Sequence, residues 1–134
     1  MSACIMALLL AWGAISVAMT RAEARRSDAL LGQVILTLDR YRHSEDPRFP
    51  ASAAQRSQIL ERCHAGRHPG DKPITASRII GTQAVPGEPQ LIRVVARVSS
   101  EWGHGLLVCD IDPADHNRVQ RRAMAIPLDV DGFS

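Results

Sequence analysis

Leu91-Ile-Arg-Val-Val-Ala-Arg-Val-Ser99 decides how this chain of 134 residues folds. Ile92, Val94, Ala96 and Val98 recur at every second position, which sets them on one side of a β-strand, with Arg93, Arg97 and Ser99 on the other. Reversals flank the stretch. Pro86-Gly-Glu-Pro-Gln90 is a turn cluster of the kind that joins hairpin strands, and Glu101-Trp-Gly-His-Gly105 follows on the other side. Further out, residues 74–85 are β-rich, and Leu106 to Ile111 is a nearly continuous apolar run suited to a central strand. Asp112-Pro-Ala-Asp-His-Asn117 closes that run, and residues 119–128 make a fourth segment. Four consecutive segments with short connections predict an antiparallel meander.

Helical patterns precede the strands. Ser52-Ala-Ala-Gln55 fits a capping box at the head of a short helix over 53–65, with Ile59, Leu60 and Cys63 as its apolar face and Gly66 as its C-terminal cap. Upstream, over 21–43, Leu30, Leu31, Val34, Ile35, Leu38 and Tyr41 follow the spacing of one helical face. Asp28, Gln33, Thr37, Arg40 and Arg42 fill the other positions, and only Gly32 weakens the helix, by about 1 kcal/mol. Pro47 and Pro50 end it.

Before that stripe, Ala3 to Met19 carries no charge. About 17 to 25 such residues suffice to cross a bilayer. Read together, residues 3–43 predict one helix of roughly 60 Å at 1.5 Å per residue. The expected fold is therefore α+β: a long N-terminal helix with a membrane-embedded first half, a short second helix, and a four-stranded antiparallel sheet packed on the long helix. Residues 1–20 are the anchor, or else a signal peptide, and 21–134 the small soluble domain.

Cleavage and retention of the apolar segment predict different mature proteins. Ala22-Glu23-Ala24 resembles a signal-peptidase site, which favours release. Met1-Ser2 supplies no basic leader and no Gly or Pro breaks the pattern at the site, which favours retention. Arg21, Arg25 and Arg26 on the distal flank would by charge alone keep the domain cytoplasmic. Cys63 and Cys109 argue the other way. As a pair spanning about 45 residues they would join a helix end to a strand in an oxidising compartment, although two separate buried thiols fit the sequence too. Cys4 opens the apolar segment rather than following it and reads as a small buried hydrophobe.

Composition narrows the function classes. The formal net charge is +2, with both signs interspersed, which argues against a nucleic-acid surface. The aromatics are Trp12, Tyr41, Phe49, Trp102 and Phe133, too few for base- or sugar-stacking platforms. Cys63, His64 and His68 have no partner motif that would make them metal or haem ligands. Asp110, Asp112 and Asp115 lack the Gly and Glu of a calcium loop and read as a solvated turn, in which the Asp112 side chain can cap the backbone. His104 with Asp110 or Asp112 is a conceivable acid–base pair, but no nucleophile motif accompanies it. The sequence thus assigns no catalytic, metal-binding or cofactor-binding residue, and no enzyme is expected. Trp102, on a turn beside His104, is the clearest contact candidate.

An apolar segment leading into an amphipathic helix (Ala3 to Arg42, with Ala-Arg-Arg-Ser-Asp-Ala-Leu-Leu as the transition), followed by strands from Ile74 to Leu128, resembles type IV pilin-like proteins, including minor pilins and pseudopilins. The resemblance covers most of the chain in organisation. It matches none of the family's leader residues, so it implies architecture and no residue roles. It implies a membrane-anchored, non-catalytic structural or assembly subunit, single-pass, with a periplasmic or extracellular domain. Its partners would be membrane lipid and other transmembrane or pilin-like subunits, met through the N-terminal helix. Ala7, Ala11, Gly13, Ala14 and Ala18 would permit close helix approach there. Two alternatives stand beside it: an accessory single-pass subunit of a membrane complex, and a secreted or periplasmic binding domain released after Ala24, with Trp102 and His104 as its contact face.

Overall fold

The computed structural model describes residues 25–65 and 74–126. Helix α1 occupies residues 25–36, α2 is Leu38–Tyr41 and α3 is Ala53–Ala65. Strands β1 (Ala76–Val85), β2 (Glu88–Ser100), β3 (Gly103–Asp112) and β4 (Arg118–Ala125) form one antiparallel sheet in the order β1-β2-β3-β4. Each connection is built from residues suited to it. Gly87 supplies φ +79° between β1 and β2. Between β3 and β4, Asp112 Oδ1 accepts the Ala114 N–H at 3.0 Å, and His116 and Asn117 take left-handed φ values of 53° and 57°.

The expected long helix is corrected. Among the described residues the helix is interrupted at Thr37, whose hydroxyl donates to the Gln33 carbonyl at 2.8 Å while its N–H reaches Val34 O at 3.1 Å. A threonine that back-bonds in this way competes with the regular ladder and bends it. After the single turn of α2 the chain leaves the helical direction at Arg42 (ψ 124°) and His43 (φ 61°). Among the described residues the helices are short, and none is long and apolar enough to cross a membrane. The apolar run itself lies outside them.

The sheet is covered on both faces, not on one. Ile92, Val94, Ala96 and Val98 pack with Leu107, Cys109 and Ile111 beneath Phe49 and the Ile59, Leu60 and Cys63 face of α3. On the opposite face Val95, Leu106, Val108 and Ala123 pack beneath Leu31, Val34, Leu38 and Tyr41. β2 is accordingly buried without interruption from Leu91 to Ala96. Each fully buried aliphatic side chain here contributes about 1.5–3 kcal/mol, so most of the stabilising apolar burial lies in β2, β3 and the two layers that cover them.

The chain after α2 runs along the open edge of β1. His43 N–H donates to Ile80 O at 3.3 Å, Thr82 N–H to Ser44 O at 3.0 Å, and Asp46 N–H to the Thr82 hydroxyl at 2.8 Å. This contact depends on Gly81, next to the register shift between Ile79 and Gly81. A Cβ there would lie 1.6 Å from the Tyr41 carbonyl oxygen, a main-chain atom held by the same contact. Gly81→Ala is expected to cost about 3 kcal/mol or more, the upper end for overpacking. Gly32→Ala, whose Cβ meets nothing within 4 Å, is expected to stabilise by about 0.5–1 kcal/mol. Urea unfolding midpoints that move in opposite directions for the two variants check both.

Candidate functional site

Cys63 and Cys109 are bonded, with Cα atoms 6.1 Å apart. Both are fully buried, and the bond ties the last turn of α3 to the middle of β3. Two arginines secure the same helix end. Arg122 Nη1 donates to Cys63 O at 3.0 Å, and Arg62 Nη1 donates to His116 O at 2.9 Å. A cation on the last carbonyls of a helix complements its dipole.

A second constellation crosses three strands. Arg93 on β2 and Asp110 on β3 are direct register partners and meet as a fork, Nε to Oδ1 at 2.8 Å and Nη2 to Oδ2 at 3.0 Å. Both are buried, Asp110 completely. Arg121 on β4 adds a bond to Asp110 Oδ2 at 3.0 Å and continues to Glu88. Burial opposes the charge on Arg93, but the hydrogen bonds and charge of Asp110 outweigh it and hold the guanidinium above its usual range. The sequence places Arg93 on a second strand face, and the structure shows that α1 and α2 cover that face. Arg93 within the buried run 91–96 and Asp110 within the apolar run ending at Ile111 are the signal that could have found this pair.

The third is a cleft of about 340 Å3 at the β1 edge, lined by His43, Ser44, Glu45, Arg56, Ile79, Ile80, Gly81 and Thr82. Its polar groups largely satisfy one another. Arg56 Nη2 meets Glu45 Oε1 at 3.2 Å, its Nε donates to Pro50 O at 2.8 Å, and its guanidinium lies 5.5 Å from the Phe49 ring centre. The Ser44 hydroxyl donates to Tyr41 O at 2.7 Å, so it is not held as a nucleophile by a neighbouring base. The loop beside it is fixed by Arg48, which forks onto Asp46 at 2.9 and 3.0 Å and donates to Pro89 O at 2.8 Å. Those hydrogen bonds hold the Asp46 carboxyl below its usual range, against an opposing push from burial. The cleft contains no nucleophile–base pair. Its residues come from a loop, a helix and a bulged strand, and no spacing in the sequence announces it.

No family model, curated protein or solved structure matches the chain. The roles of individual residues therefore rest on geometry.

The other sequence candidates are scattered. Trp102 is 55 % exposed on the two-residue turn between β2 and β3. His104 is exposed on β3, its Nδ1 2.9 Å from the Ser99 hydroxyl. Asp110 stands six residues further along the same strand, roughly 20 Å away at about 3.3 Å per residue, so the two form no acid–base pair. Asp110, Asp112 and Asp115 likewise serve separate partners: two arginines, the Ala114 N–H, and Arg118 at 3.8 Å. Among the described residues no three metal-ligating side chains cluster. Ala7, Ala11, Gly13, Ala14 and Ala18 lie outside the described residues.

Proposed function

We propose that this chain is a membrane-anchored, non-catalytic structural or assembly subunit whose disulfide-locked domain stands on the extracytoplasmic side. The Cys63–Cys109 bond carries this reading, because a disulfide at the centre of a core persists in oxidising compartments and is rare in the cytosol. The uncharged run from Ala3 to Met19 supplies the anchor. Arg21, Arg25 and Arg26 favour the opposite orientation by charge count, whereas the disulfide supports the extracytoplasmic one. In the pilin- or pseudopilin-like form of the proposal, Ala7, Ala11, Gly13, Ala14 and Ala18 let the anchor pack closely against neighbouring transmembrane segments. The sheet domain then offers surfaces rather than chemistry.

Carbonate washing and protease treatment of bacterial spheroplasts carrying the full chain test the proposal. The chain is expected to stay in the washed membranes, and external protease is expected to remove the domain. A soluble product that lacks residues 1–24 would replace the anchored subunit by a secreted domain. Full protection from external protease would reverse the orientation.

A further inference from the structure

The β1-edge cleft has no part in the anchored reading. Its volume of about 340 Å3 lies at the low end of the range of small-ligand pockets, about 300–1,000 Å3. Three elements meet in it: the chain segment that caps the sheet edge (His43, Ser44, Glu45), the first turn of α3 (Arg56) and the bulged part of β1 around Gly81. Bulges recur beside binding sites, where they re-aim side chains.

Glu45 and Arg56 are the charged pair of the cleft, joined by one bond, Nη2 to Oε1 at 3.2 Å. The two side chains are held differently. Arg56 is fixed without Glu45, since its Nε donates to Pro50 O at 2.8 Å and its guanidinium lies 5.5 Å from the Phe49 ring centre. Its Nη1 has no partner among the described residues. The Glu45 side chain is 71 % exposed, and the bond to Arg56 is its single side-chain tie among the described residues. An exposed pair of this kind is weak, so Glu45 is free to swing aside while Arg56 stays.

Thr82 is the buried polar member of the lining, 2 % exposed. Its hydroxyl accepts the Asp46 N–H at 2.8 Å, and its own O–H has no acceptor among the described residues. A buried donor left in that state is costly, and an acceptor brought into the cleft removes the cost.

These groups select by charge. A simple anion on Arg56 meets Glu45 beside it, and a simple cation on Glu45 meets Arg56. A zwitterion replaces the one weak pair by two, with its carboxylate on the guanidinium and its ammonium on Glu45. Ile79 and Ile80 line the same cleft and offer apolar surface to a short aliphatic side chain.

We propose that the β1-edge cleft binds a small aliphatic amino acid, with its carboxylate on Arg56 and the Thr82 hydroxyl and its ammonium on Glu45. This adds a binding activity to the structural role above and does not depend on it.

The test is an NMR titration of the full chain in detergent micelles with three probes: L-valine, isovalerate, which lacks the ammonium, and isobutylamine, which lacks the carboxylate. L-Valine is expected to move the amide signals of Ser44, Glu45 and Thr82 saturably. Its Kd is expected to be about tenfold or more below that of either analogue, the usual worth of one charge-assisted contact. Glu45→Gln alters an exposed side chain and is expected to leave the urea midpoint in place while weakening L-valine to the level of isovalerate. Arg56→Gln is expected to abolish binding of both, and Arg56→Lys to recover part of it. Isovalerate binding as tightly as L-valine, or L-valine binding unchanged in Glu45→Gln, would overturn the zwitterion assignment. No saturable change at these amides with any probe would overturn the site.

Discussion

Removing the Cys63–Cys109 bond, by reduction or by the double substitution Cys63→Ala, Cys109→Ala, is expected to lower stability by about 4 kcal/mol. In the chain-entropy description a bond closing a loop of about 46 residues removes that much freedom from the unfolded chain. Small domains have about 5–15 kcal/mol in total, so the loss takes a large share of it. The effect should concentrate on α3, whose buried side chains are Ile59, Leu60 and Cys63. Its polar ties include Arg62 to His116 O, Arg122 to Cys63 O, and the Arg56 contacts with Glu45, Pro50 and Phe49. Urea unfolding with and without reductant measures the loss. Hydrogen exchange should show the α3 amides losing protection before those of β2. Equal midpoints in the two conditions would mean that packing and these polar ties hold α3 to the sheet without the bond.

Asp110→Ala is expected to cost about 3–5 kcal/mol, because it leaves the buried Arg93 guanidinium without its counter-charge. The comparison with Arg121 separates this effect from a general loss of ion pairs. Arg121 is 44 % exposed in its side chain, so Arg121→Ala is expected to cost about 1 kcal/mol or less. Replacing both partners, Arg93→Met with Asp110→Leu, should restore most of the stability lost in Asp110→Ala, since no buried charge then remains. In a domain of this size each kcal/mol moves the thermal midpoint by about 4–8 °C, so melting curves distinguish the variants. A double variant no more stable than Asp110→Ala would show that the pair organises the strands in a way that apolar side chains cannot replace.

Leu91–Ser99 carries the alternation of a strand and forms most of β2, and Pro86-Gly87 marks the turn before it. Such features are local, and local patterns are legible. The break at Thr37 was not, because apolar residues continue in helical register through Leu38 and Tyr41 while the Thr37 hydroxyl competes for the backbone. Burial on both faces of the sheet was also hidden. An apolar–polar alternation reads as one wet face, yet Arg93 is enclosed because Asp110 lies opposite it in a register that the turns set. The disulfide was half legible: its two cysteines were countable, but only the packing of α3 on β3 brings them within bonding distance. The β1-edge cleft depends on Gly81 admitting the Tyr41 backbone, a tertiary contact with no periodicity to betray it.

The most direct test of the account is the thiol state of the full chain in the cell. Cells are quenched in acid, denatured without reductant and treated with an alkylating reagent, and the intact mass is read. A single alkyl group is expected, on Cys4, with Cys63 and Cys109 released for labelling only after reduction. Alkylation of all three cysteines without reduction would contradict it, and with it the placement of the domain outside the cytoplasm.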